Sequence, residues 1–233
     1  GLAFLDIARV TTDPHVRARA MQGAVRAAKF PLVAGLWDGE FDGGLWWTNQ
    51  RDGLGEGKPA QSTALLAHVM AELYAETGDP VYRQHALDSL AWLDRHLWSE
   101  YHHLYAYSVH YSRSAPGQMV RTDRFFGYDQ AIVIQALLAL HRMEPEGTTY
   151  LSRARQIARA TDRYFWQKEL GGYTLEADVP DQYPSYGVWI SEALVELYKA
   201  DGDRFWLDRA RANFDALEAR FRVGPNGGYY YRL

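Results

Sequence analysis

At 233 residues, 47% hydrophobic and 23% charged, the chain has the make-up of one globular domain with a large core. The formal net charge is −4 and the Lys and Arg residues are scattered, which excludes a nucleic-acid footprint; no apolar run reaches the roughly 18 residues of a membrane span. Cys is absent, so disulfides and thiol chemistry are excluded while the compartment stays open.

The chain starts at Gly1 with "GLAFLDIARV", which reads as mid-helix with no cap before it and shows no signal peptide. The expectation is that sequence lies upstream of this stretch. From Leu2 onward one pattern recurs four times, starting at Leu2, Val69, Leu137 and Ala193. Each unit is an apolar helix end, a turn with Asp, Gly or Pro ("TTDP", "TGDP", "EPEG", "DGD"), then a second helix. Seven residues after Asp13, Asp79, Gly147 and Asp203 stand Ala20, Ala86, Ala154 and Ala210. A small residue at one fixed phase predicts a close helix–helix approach.

The first long link, roughly 31–61, contains "WDGEFDGGLWWTNQRD" (37–52). Asp38, Glu40, Asp42 and Asp52 there could serve as acid or base, grip sugar hydroxyls, or form a solvated acidic turn. Asp42 stands out because it abuts Gly43-Gly44 and the Trp pair. In an extended chain Trp46 and Trp47 face opposite ways, so one packs inward and the other lines a cleft. A Gly-Gly pair returns, directly followed by Tyr, at 171–173 and 227–229, which marks Gly43-Gly44 as a structural turn of the repeat.

In 85–98, Ala86, Leu87, Leu90, Leu93, Leu97 and Trp98 make one apolar face of an outer helix. A link over 99–124 follows, in which "YAYSVHYS" (105–112) suggests a local hairpin. His96, His102, His103 and His110 match no common zinc spacing, so no metal is expected. "AIVIQALLAL" (131–140) is apolar almost all round, as an inner helix must be. Asp129 stands at its start, where the helix dipole favours an acid and where a cleft floor would use one. A third link covers 169–185, with Tyr183 and Tyr186 flanking the last inner helix.

Apolar inner helices alternating with amphipathic outer ones predict an all-α toroid of hairpins over 1–233. All the long links then fall at one end, where the inner helices begin with free backbone N–H groups. These links hold much of the chain's 14% aromatic content, including many of its 16 Tyr and 8 Trp. Such rings pack long loops or stack on the apolar faces of pyranose rings. The four hairpins fall short of the six of a closed ring.

"GGLWWTNQRD" (43–52), "KPAQSTALLAHVMAELYAETGDPVY" (58–82), "FGYDQAIVIQALLAL" (126–140) and, more loosely, "YPSYGVWISEALVELY" (183–198) resemble glycoside hydrolase family 76, the endo-α-1,6-mannanases. The resemblance implies an (α/α)6 barrel, N-terminally incomplete here, and retaining hydrolysis of an α-mannosidic bond. Such a reaction needs two carboxyl groups about 5–5.5 Å apart. The family supplies them as an adjacent Asp-Asp at the start of an inner helix. No Asp-Asp occurs here; by alignment the pair is expected shortly before Gly1, with Asp42 and Asp129 as the candidates inside the chain. The family's Lys-Asn-Ala-x-Ser-Asn appears as "KPAQST", keeping Lys58, Ala60 and Ser62, and its Tyr-Asn-Gln appears as Tyr128, Asp129, Gln130. The implied substrate-binding set is Trp46, Trp47, Asn49, Lys58, Tyr128, Asp129, Gln130 and Tyr186. The implied partner is an oligosaccharide or polysaccharide, and no cofactor is expected. Two other readings stand beside this one. One is a carbohydrate-binding relative without the acids. The other is a sugar epimerase, which needs His residues at the cleft, whereas His68 and His141 lie mid-helix or at the far end.

Overall fold

The turn chemistry sets the helix boundaries. In a computed structural model that describes residues 1–40, 42–48, 57–111, 118–146, 148–177, 179–224 and 227–231, eight helices form four hairpins among the described residues. They are α1 (Leu2–Val10) with α2 (Pro14–Val33), α3 (Ala60–Thr77) with α4 (Pro80–His96), α5 (Gly127–Met143) with α6 (Thr148–Phe165), and α7 (Pro184–Asp201) with α8 (Arg204–Phe221). Asp13, Asp79 and Asp203 each cap the second helix of their hairpin by accepting a backbone N–H two residues on. Pro14 and Pro80 follow in the first turn, where a missing N–H costs nothing. Gly78 and Gly202 close α3 and α7 with φ of 69° and 76°, which suits a residue without Cβ.

The hairpins stack side by side. α5 packs against its own partner α6 and between the inner helices α3 and α7. Most of α5 is buried, from Asp129 and Gln130 through Leu140. Ala20, Ala86, Ala154 and Ala210 are all buried, as their shared phase predicts. Burying an apolar side chain of Leu or Ile size contributes about 1.5–3 kcal/mol, so the Ile132, Leu137, Leu138 and Leu140 set makes α5 the axis of the core.

The links carry more order than the sequence suggests. Seven short strands occur among the described residues: β1 (Gly57–Pro59), β2 (Trp98–Ser99), β3 (Leu104–Tyr105), β4 (Ser108–Tyr111), β5 (Met119–Thr122), β6 (Trp166–Gln167) and β7 (Gly172–Tyr173). "YAYSVHYS" does not fold on itself. Tyr105 ends β3, and β4 pairs antiparallel with β5 on one side and β1 on the other. The predicted outer-helix face over 85–98 also ends early. α4 stops at His96, and Trp98 opens β2 instead of continuing the apolar stripe.

The repeat extends into these links. β2 pairs with β3 through Trp98 and Tyr105, and β6 with β7 through Trp166 and Tyr173. In both hairpins the Trp and Tyr rings are 5.1 Å apart. An arginine of the following outer helix lies over each Trp: Arg153 at 3.8 Å and Arg209 at 4.0 Å. Each Tyr hydroxyl reaches back to an acid of the preceding outer helix, Asp94 or Asp162. A buried carboxamide then clamps each hairpin to a helix. Gln130 accepts from the Tyr105 N–H and donates to the Tyr105 and Phe126 carbonyls. Asn213 accepts from the Tyr173 N–H and donates to the Gly187 carbonyl and the Ser191 hydroxyl.

Candidate functional site

The long links and the N-termini of α3, α5 and α7 share one end of the stack, and there the aromatic side chains meet. Phe126 stacks on Tyr128 at 5.7 Å, and Tyr128 stacks on Tyr186 at 4.5 Å. Tyr107 meets Phe126 edge-on at 5.0 Å. Trp189 packs against Tyr186 at 5.9 Å, and Tyr183 against Tyr186 at 5.4 Å. Tyr231, well exposed, extends the group past Tyr183. Offset and edge-on aromatic pairs of this kind contribute about 0.5–1.5 kcal/mol each beyond their burial. The cluster is therefore a stiff wall, with Phe126 buried and Tyr107, Tyr128, Tyr183, Tyr186 and Trp189 part-exposed. On its rim Arg124 and Glu176 form a two-pronged ion pair, with the guanidinium 4.9 Å over Phe126.

Asp129 lies beneath this wall in the first turn of α5. It is fully buried, and neither carboxyl oxygen has a hydrogen-bond partner among the described residues. Burial pushes its carboxyl well above the usual carboxylate range. Burial thus favours its protonated form. Burial also raises Tyr128, with the nearby Asp129 adding to the effect.

This state has a measurable sign. The folded form keeps the proton while the unfolded chain loses it above about pH 4, so stability declines as pH rises from there toward the folded value. Asp129→Asn keeps the shape and cannot ionise. Its stability relative to the parent is expected to rise between pH 4 and pH 7, because only the parent pays for keeping the proton. Thermal unfolding at the two pH values checks this; a gain of equal size at both would refute the protonated state.

The other predicted residues lie elsewhere. Asp42 is half exposed and held by Arg95 at 2.5 Å and His96 at 2.8 Å, on the outer side of α4. Hydrogen bonds from Arg95 and His96 hold its carboxyl below the usual range. Asp38 is buried against Lys58, and Glu40 is exposed with its N–H on Asp38. Trp46 is buried, while Trp47 is exposed at the mouth of an apolar groove between the first hairpin and α3. Both rings line that groove, one buried and one exposed. Lys58 and Gln130 are enclosed and engaged by protein groups. Asn49 and Asp52 lie outside the described residues. Thus Tyr128, Asp129 and Tyr186 converge at the aromatic end; Gln130 lies beside them but turns its amide to the Tyr105 and Phe126 backbone, and Asp42, Trp46 and Lys58 are engaged elsewhere. The four histidines also scatter. His96 binds Asp42, His102 binds Ser99, His110 binds Thr122, and His103 stacks on Trp98.

Trp189 and Tyr107 are missed by the sequence reading, as are the polar residues of the lumen. Between the inner helices runs a cavity of about 370 Å³, lined among others by Arg9, His68, Glu72, Arg142, Trp189 and Glu192. Glu72 accepts hydrogen bonds from Arg9 at 2.5 Å and from Arg142, with His68 3.7 Å away. The signal was present: His68 and Glu72 stand four apart on one face of an otherwise apolar helix.

The sequence signature described as glycosyl hydrolase family 76 matches residues 24–186. No curated protein matches the chain. Among solved structures the chain is similar to an α-mannanase of that family from Bacteroides thetaiotaomicron, with a TM-score of 0.81 at 18% identity over 99% of this chain and 58% of the other. A family 76 mannosidase from the same species gives 0.73 at 21% identity, over 89% of this chain and 54% of the other. A cellobiose 2-epimerase from Bacillus thermoamylovorans gives 0.79 at 16% identity, over 99% of this chain and 61% of the other. The chain spans between half and two thirds of the length of each of these three. At such identities the likeness is one of fold, the (α/α)6 toroid, and both hydrolases and an epimerase share it.

Proposed function

Since the chain belongs to glycoside hydrolase family 76, we propose that it serves the hydrolysis of α-mannosidic bonds, α-1,6-linked, in a mannan-type polysaccharide, with the aromatic end of the toroid as the glycan cleft. The observation that carries this reading is the meeting of Tyr107, Tyr128, Tyr186 and Trp189 at the N-termini of α5 and α7. Ring faces hold the apolar side of a pyranose, phenol hydroxyls bond to its hydroxyls, and buried Asp129 lies beneath them.

The retaining reaction runs in two steps. A carboxylate attacks the anomeric carbon as a second carboxyl group gives its proton to the departing glycosidic oxygen. Water then hydrolyses the glycosyl ester and returns a proton to that second group. We assign neither role to Asp42, which Arg95 holds on the outer face, nor to Asp129, which is sealed from solvent. An adjacent aspartate pair, as the family resemblance implies, would carry both. These residues supply the binding wall.

Isothermal titration with α-1,6-mannooligosaccharides tests the cleft. Tyr186→Ala is expected to weaken binding about 5–10-fold, the loss of one aromatic stack. Binding unchanged by Tyr186→Ala, or equal affinity for a β-linked glucan, would overturn the assignment. Mass spectrometry of the products separates the epimerase reading, since hydrolysis adds water to the cleaved glycan and epimerisation leaves the mass unaltered.

A further inference from the structure

A second feature lies on the outer wall, away from the aromatic end. A groove of about 360 Å³ runs along α6, lined by His103, Ser152, Arg155, Gln156, Arg159 and Arg163. The three arginines stand four residues apart, so they form one stripe on one helix face. Like charges at that spacing destabilise a helix, and the chain as a whole is net negative at −4. Arg155 is held by the buried Asp201 at 2.9 Å. No ion pair or hydrogen bond joins the side chains of Arg159 or Arg163 to another described residue, and both are exposed.

His103 adds an independent observation. It sits in the β2–β3 turn with φ of 56°, a left-handed conformation in which His, like Asn and Asp, is enriched among residues with a Cβ. The equivalent position of the β6–β7 turn is Gly171, with φ of 62°. One copy of the repeat thus places an imidazole where the other uses the residue the backbone prefers. The ring is not free to swing, because it stacks flat on Trp98 at 6.1 Å and 6°. This imidazole lines one edge of the arginine groove.

We propose that this groove binds a phosphoryl or sulfo group carried on a glycan chain. Two unpaired guanidinium forks match the oxygens of such a group in a way that an isolated lysine does not. Ser152 and Gln156 supply neutral hydrogen bonds beside them. The oxyanion chemistry stands on the groove alone; its placement on a glycan rests on the proposed function above. The site would let the protein hold an anionic polysaccharide at a point distinct from the cleft.

Titrations at constant ionic strength test this, with inorganic phosphate, a phosphorylated mannan, the same mannan after phosphatase treatment, a neutral mannooligosaccharide and a single-stranded oligonucleotide. The expected result is saturable phosphate binding in excess of a chloride control, and at least tenfold tighter binding of the phosphorylated mannan than of the treated one. Arg159→Gln with Arg163→Gln should abolish both preferences, and neutral mannooligosaccharide binding should stay unchanged. No saturation above chloride, or equal response in the double variant, would overturn the site. Phosphate binding without preference for the phosphorylated mannan, or tighter binding of a single-stranded oligonucleotide, would overturn its glycan ligand. Binding of the neutral oligosaccharide reports the cleft separately, so the two readings fail independently.

Discussion

Lys58→Ala is expected to cost about 3–5 kcal/mol of stability, the range for breaking a buried ion pair from one side. The Lys58 side chain has no exposed surface, and Asp38 next to it is almost as enclosed. The ammonium lies 2.5 Å from the Asp38 carboxylate and donates to the Gly43 carbonyl at 2.6 Å. It also rests 4.6 Å over the Trp46 ring and 5.7 Å from that of Trp92. Removing the ammonium takes from the buried Asp38 carboxylate its counterion at 2.5 Å. Gly43 and Gly44 make the approach possible. Their φ values are 88° and 80°, and a Cβ on Gly44 would overlap the Trp92 indole. The pair thus bolts the first link to the second hairpin. Replacing both partners, Lys58→Met with Asp38→Leu, should recover most of the loss, because apolar residues of similar size need no counterion. Urea unfolding of the two variants measures this. A single variant within about 1 kcal/mol of the parent would show that the pair is not structural. So would a double variant no more stable than the single.

Lys58 and Gln130 fall in stretches that resemble a sugar hydrolase, and a resemblance carries position without partner. Nothing in "KPAQST" says that Lys58 points to Asp38, twenty residues earlier. Gln130 similarly clamps β3 to α5 through both ends of its amide. The helices were legible because their turns have local chemistry. Asp followed by Pro opens a helix, Gly closes one, and the four alanines keep one phase. The link hairpins were less so. Trp98 and Tyr105, like Trp166 and Tyr173, stand seven apart, but Trp98 also continues the apolar period of α4 and was read with it. Tyr128 and Tyr186 could be singled out because each opens an inner helix after a polar link. Trp189 could not, since it falls at a core-like phase of α7. The state of Asp129 is a matter of tertiary burial, which no local pattern encodes.

Glu72 carries the other large expectation. Its carboxylate joins three inner helices across the lumen, through Arg9 of α1, Arg142 of α5 and His68 on its own α3. Arg9 also reaches Glu76 at 2.6 Å. Glu72→Ala removes the shared acceptor and leaves two guanidinium groups facing one another. The buried-pair range of about 3–5 kcal/mol has to be reduced, because Arg9 and Arg142 keep 37% and 50% of their side chains in solvent. A loss of about 2–3 kcal/mol is expected. The pH dependence follows from the direction of the shift. Burial pushes the Glu72 carboxyl up, and hydrogen bonds from His68, Arg142 and Arg9 outweigh it and hold it well below the usual range. The folded state therefore keeps the charge where the unfolded chain, at about 4.3, is already taking up a proton. The stabilisation is complete above that value and is lost as the pH falls through the folded one. Glu72→Gln, which retains the shape, should be less stable than the parent at pH 7 and should converge on it as the solution is acidified below pH 4. A constant gap between the two stability curves down to the acid limit would mean that the glutamate acts by packing alone, and that the arginines of the lumen are held by something else.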